Sequence, residues 1–171
     1  GLFMDVLEAI KERRSVREFL DKPVKKEDIE ILLRAGMSAP SAINKQPWEF
    51  YVLESKEAQE EAKKVLVYGR FNSPLMIIVA INQERTEQGI AHGLGYCDAG
   101  AATENILLAA KGLGLDGVWC AVWPDEGRMN GIRKALKIPY TVEPFAAIHI
   151  GYAKEPGEPK DKWDENKVHI L

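Results

Sequence analysis

Arg13, Arg14 and Arg17 lie within five positions of one another around Ser15, in the stretch KERRSVREFL at residues 11–20. Three guanidinium groups beside a hydroxyl suit a phosphate, because the planar fork of arginine donates two parallel hydrogen bonds where lysine offers a point charge. The same arginines fall where an N-terminal helix is expected to stop, and cations there complement the helix macrodipole by about 0.3–1 kcal/mol. From these residues alone both readings stand, a solvated helix end and an anion site. Convergence of Arg13 and Arg17 on one ligand depends on an extended connector after Ser15.

The rest of the composition gives this cluster its weight. The 171-residue chain is 46% apolar and 29% charged with a formal charge of −3, so it can bury one core and has no general attraction to nucleic acid or anionic membrane. Any anion site must come from local arrangement. Its length fits one domain spanning residues 1–171. Cys97 and Cys120 show no CxxC spacing and His92, His149 and His169 are scattered, which argues against a disulfide framework or a metal centre. No apolar run reaches the ~18–20 residues of a membrane span. A cytoplasmic location is the resulting expectation.

The elements that must position the cluster follow from pattern. Asp5 with Glu8 resembles a capping box, and Val6, Leu7 and Ile10 take helical spacing, so a first helix should end at Arg13 or Arg14. Ile29, Leu32, Leu33 and Gly36 mark a second helix from Lys26 to about Met37. The loop APSAINKQP precedes a strand at WEFYVL, a helix over residues 56–69 and a continuous apolar strand, PLMIIVAI. A small-residue-rich helix is expected from Ala91 to about Leu113, then a strand over 117–123, a helix over 127–138 and a strand over 144–152. The polar tail EPGEPKDKWDENK ends in KVHIL, which reads as a strand pairing at a distance, on a partner subunit. The plan is α+β.

Residues 112–117, GLGLDG, match the string GxGxxG. A dinucleotide fingerprint needs that string after a strand and opening a helix. Here a helix ends and a strand begins, so the glycines read as a helix C-cap and turn.

Taken in order, RRSVR, the loop APSAINKQPW, the GLGLDG turn, IGYA at 150–153 and Pro159 followed by Lys160 and Lys162 resemble the FMN-dependent nitroreductase family over essentially the whole chain. The resemblance implies a nitroreductase-like α+β fold with a central mixed β-sheet flanked by helices. It implies a homodimer holding two FMN molecules, with the C-terminal arm, about 153–171, packing on the partner and its strand exchanged. Arg13, Arg14, Ser15 and Arg17 would hold the FMN phosphate, ribityl chain and ring edge, with Lys160 and Lys162 adding cations. Pro40, Ser41, Ala42, Asn44 and Gln46 would reach the isoalloxazine from the other subunit. Trp119, Cys120, Ala121 and Val122 would line the flavin with backbone N–H groups near N5. Many relatives have glycines where this chain has Ala121 and Val122; the branched Val122 would narrow the approach, and Trp123 would cover the pocket or belong to the core. Hydride would come from NADH or NADPH and leave to a nitro, quinone or similar small acceptor, with no catalytic side chain and no metal. Reductive dehalogenation, flavin destruction, or a storage or sensor role are the alternatives.

Overall fold

The computed structural model describes residues 4–86, 89 and 93–171; Ala91, where the long helix was expected to start, and His92 lie outside them. Helix α1 (Val6–Glu12) begins because the Asp5 carboxylate accepts the Leu7 N–H at 2.7 Å, supplying one of the partners that a helix N-terminus lacks. Its apolar residues Val6, Leu7 and Ile10 remain 64, 73 and 55% exposed, so this chain does not cover that face. Helix α2 (Lys26–Met37) runs as its spacing predicts and buries Ile29, Leu32 and Gly36.

Strand β1 (Trp48–Leu53) leads into α3 (Lys56–Lys63), capped by Ser55. This helix stops six residues before its expected end. Arg70 folds back, its Nε donating to the Lys63 carbonyl at 2.9 Å and its Nη2 to the Lys64 carbonyl at 3.2 Å, and so satisfies carbonyls that another turn would have used. Strand β2 (Leu75–Asn82) follows, then α4 (Leu94–Gly112). The glycine string closes α4 as a Schellman cap: Leu115 N–H donates to Ala110 O at 2.8 Å, Gly114 N–H to Lys111 O at 3.0 Å, and Gly114 takes φ 80°. Strand β3 (Asp116–Ala121), helix α5 (Glu126–Leu136) and strand β4 (Val142–Gly151) complete the fold.

The sheet runs β1-β2-β4-β3. Its three ladders are antiparallel, with Trp48 opposite Ile81, Leu75 opposite Ile150 and Gly117 also opposite Ile150. The expected mixed sheet is therefore corrected: an apolar run reports that both faces are covered and carries no information about strand direction. Among the described residues, parallel pairing is confined to a bridge between Ser15 and Gly117. On one face α2 and α4 enclose Leu75, Ile77, Val79 and Ile81; on the other α3 and α5 enclose Met76, Ile78 and Ala80. The connector after α1 is stitched to the far edge, Val16 N–H to Gly117 O at 3.0 Å and Leu20 N–H to Tyr152 O at 2.8 Å.

KVHIL forms no strand within this chain: Glu165–Lys167 make a 3-10 turn and Val168 to Leu171 are exposed. Strand-like alternation needs an edge to pair with, and no ladder here offers one to these residues. No helix among the described residues is long and apolar enough to cross a membrane.

His149, fully buried on β4, pins the segment after α3 to the sheet through Gly69 O and Ser73 Oγ, each at 2.7 Å. Burial pushes its pKa down to about 4, the Gly69 carbonyl opposes that and the Lys63 charge adds to it. The folded state thus holds this imidazole neutral while the unfolded chain protonates it below about 6.5. The stability it contributes is full above about pH 6.5 and is lost as pH falls toward 4. Between pH 7 and pH 4.5 wild type should lose roughly 2–3 kcal/mol more than His149→Gln in denaturant titrations; equal losses would contradict this account.

Candidate functional site

The connector that leaves α1 carries the arginines, and it is extended from the helix cap onward: Arg13 has φ −59° and ψ 132°. Arg13 and Arg14 meet different partners. Arg13 Nε lies 3.6 Å from Glu104 Oε1 on α4. Arg14 Nη2 donates to the Glu155 carbonyl at 3.0 Å, and a Cβ on Gly157 would sit 2.5 Å from its Cζ. Arg14 therefore clips the start of the C-terminal arm, and a side chain at Gly157 would displace the guanidinium. Ser15 and Arg17 are exposed, and among the described residues Arg17 has no carboxylate partner. Lys160 and Lys162 are exposed on the arm; no ion pair or side-chain contact brings either to the arginines within this chain.

The loop from Pro40 to Gln46 is held in an unusual backbone. Ile43, Asn44 and Gln46 have φ of 52, 54 and 50°, a left-handed region that is a genuine outlier for a β-branched residue and costs about 1–3 kcal/mol each time it is imposed. Three bonds impose it. Ala42 N–H donates to the buried Asp98 carboxylate at 2.9 Å, Gln46 N–H to Ser41 Oγ at 3.0 Å, and Gln46 Nε2 to Asn44 Oδ1 at 2.8 Å. The amide donors of Asn44 remain available on an exposed loop.

On β3, Trp119 and Ala121 are exposed while Val118 and Cys120 turn into the core against α3 and α5. Val122 does not line that exposed face. Its side chain is fully buried, and its N–H is spent on the Phe145 carbonyl at 3.2 Å. Trp123 belongs to the core, stacked between Tyr96 at 4.4 Å and Phe145 at 5.8 Å. Beside β3 a cavity of about 220 Å³ is lined by Arg17, Tyr68, Phe71, Trp119, Cys120 and Arg128, with no carboxylate. Burial pushes the Cys120 thiol up to about 11 against the pull of Arg17 and Arg128, so it is neutral and no nucleophile.

Helix α4 divides these groups. Gly100, Glu104 and Leu107 approach Trp119, Arg13 and Gly117. Asp98, Ala102 and Asn105 instead hold Ala42, pack against Ala39 and Trp48, and bond Ala35 O at 2.9 Å. At about 100° per residue these two stripes lie on opposite sides of a helix roughly 10–12 Å across with its side chains. The arginines with β3 and the loop are thus two groups of candidate residues on opposite sides of α4. Sequence reasoning missed Asp98 and Arg128; an acid among the small residues of GYCDAGAA was a signal for the first. No group of residues suited to a metal occurs among those described.

Comparison with known proteins gives this arrangement a context. The sequence model of the Nitroreductase family matches residues 10–67 and 59–152. A protein of Methanothermobacter thermautotrophicus, provisionally named NADH dehydrogenase/NAD(P)H nitroreductase, is 40% identical over 98% of this chain and 87% of its own. A solved structure from Bacteroides thetaiotaomicron under the same provisional name superposes with TM-score 0.90 at 40% identity, covering 96% of each chain. An FMN-dependent nitroreductase from Clostridium difficile R20291 superposes with TM-score 0.86 at 29% identity, covering 96% of this chain and 98% of that one. With the motifs in order, the same fold and near-complete coverage on both sides, the chain belongs to the nitroreductase family of oxidoreductases.

Proposed function

We propose that the protein is an FMN-dependent oxidoreductase that works as a homodimer, taking hydride from NADH or NADPH and reducing a nitro, quinone or similar small acceptor. The observation that supports this most is the pair of half-sites on opposite sides of α4: cations and a flat exposed strand on one, a strained polar loop on the other. A relative named as an FMN-dependent nitroreductase shares the fold over nearly its full length.

The residues present fit the cofactor. Arg13 and Ser15 supply charge and a hydroxyl for a phosphomonoester, which carries about −1.5 to −2 near pH 7, and Arg17, on the wall of the cavity beside β3, takes the ring edge. Arg14 is committed to the arm, and its part is to aim Lys160 and Lys162 toward the same phosphate in the assembled dimer. Trp119 and Ala121 offer a surface for the ring. Ser41, Ala42, Asn44 and Gln46 reach it from the partner subunit, Pro40 stiffens the approach, and Asn44 presents amide donors to carbonyl and imide edges. FMN, when bound, supplies the hydride and electron chemistry, and the protein contributes position and electrostatics. The storage or sensor alternative drew on Ala121 and Val122 together, and of these the Val122 side chain points into the core.

The open outer edge of β1 and the exposed Val168, Ile170 and Leu171 complement each other. We assign the partner's tail to that edge, a pairing that also protects it from aggregation.

Purified protein should be yellow, or become so with added FMN, and should bleach with NADH or NADPH and recover with an acceptor; a colourless protein indifferent to FMN would sink the reading. Replacing Arg13 and Arg17 together by alanine should weaken FMN retention at least tenfold, since charged hydrogen bonds contribute about 1.5–3 kcal/mol each, with an unchanged circular dichroism spectrum. Undiminished flavin content would overturn the assignment of these arginines to FMN. Truncation after Tyr152 should lower the mass in solution toward that of a monomer, whereas an unchanged mass would place the arm on its own subunit.

A further inference from the structure

The cavity beside β3 holds a guanidinium that the motifs did not mark. Arg128, at the start of α5, donates from Nη1 to the Ala121 carbonyl at 3.1 Å and lies over the Tyr68 ring with Cζ 5.5 Å from its centroid. One hydrogen bond and one ring face hold the group in place, and its remaining donors stay open toward the cavity. Arg17 stands on another wall of the same cavity, and no carboxylate lines it. Neither arginine has an acidic partner among the described residues. A held guanidinium and a second cation, both without a counter-charge and walled by aromatic rings, suit a planar anion. Both are near enough to Cys120 to pull its pKa downward.

The size narrows the choice. At about 220 Å³ the cavity is smaller than the roughly 300–1,000 Å³ that takes a whole drug-sized ligand, so it accepts one end of a larger molecule. Its neighbour Ala121 lies on the exposed strand face assigned to the flavin ring. The pyrimidine-dione end of the isoalloxazine is planar, carries two carbonyls and an imide, and gains negative charge over N1 and the C2 carbonyl on two-electron reduction with one proton taken at N5.

We propose that Arg128 is a second cation at the pyrimidine-dione end of the flavin, opposite Arg17, and favours the reduced, anionic flavin over the oxidised one. The proposal rests on the FMN reading above. A positive charge fixed before reduction interacts more strongly with the anion than with the neutral oxidised ring, and costs no reorganisation when the charge arrives. The bond to Ala121 O matters because it ties the cation to the strand that carries the ring.

The test is redox titration of the FMN-loaded protein with dithionite and reference dyes, in wild type, Arg128→Gln and Arg128→Lys. Arg128→Gln should retain oxidised FMN but lower the midpoint potential, by about 30 mV for each tenfold loss of preference for the reduced form. Arg128→Lys should restore most of the drop, because it returns the charge without the Ala121 fork; a residue that merely braced the strand would not be rescued by charge. Equal potentials in wild type and Arg128→Gln, with both proteins holding FMN, would overturn this proposal alone. A wild type that takes up no FMN would overturn the cofactor reading and this proposal together.

Discussion

The positions of the candidate site residues depend on how closely α4 packs between the sheet and its neighbours. Its small residues make that packing possible: Ala99, Ala102 and Ala110 are almost fully buried, and Ile106 comes within 3.0 Å of where a Cβ on Gly36 would be. Larger side chains at such contacts would force backbones apart at a cost of about 1–3 kcal/mol each. One side of α4 then meets Arg13 and Trp119, the other carries Asp98 to the 40–46 loop. A helix that brings both groups to its surface also keeps them from meeting inside one chain. In the homodimer proposed above, two chains supply the arrangement in which these groups face one another.

In a chain with a formal charge of −3, local placement still gathers cations that lack a counter-charge. Arg17 and Arg128 border a cavity without a carboxylate, while Arg13 carries a weak counter-charge in Glu104 at 3.6 Å. An exposed pair of that kind contributes about 0–1 kcal/mol and yields readily to a phosphate. Arg14 is different, because its partners are the backbone of the arm it anchors.

Helix positions were legible because apolar spacing and capping are local: Asp5, Ser55 and the Gly114 turn all act as their types suggest. The early end of α3 was not, since Arg70 reaches it from beyond the helix. Strand direction was not, because β2 is covered on both faces. The motif arginines and the loop were found by their order along the chain, whereas Asp98 and Arg128 act through contacts 56 and 7 residues away that no short pattern encodes. The burial of the Val122 side chain was not legible because a period-2 strand places neighbours on opposite faces, and the pattern alone did not say which face was open.

The central claim is that each cofactor site is built from the arginines of one chain and the loop of the other. Mixing a variant carrying Arg13→Ala and Arg17→Ala with a variant carrying Asn44→Ala, and isolating the mixed dimer by two affinity tags, tests it directly. Cross-chain assembly leaves one site with both halves intact, so the mixed dimer should regain tight binding of one FMN per dimer although both parents bind poorly. If both halves came from the same chain, every site in the mixed dimer would be damaged, and failure to regain that one FMN would contradict the account.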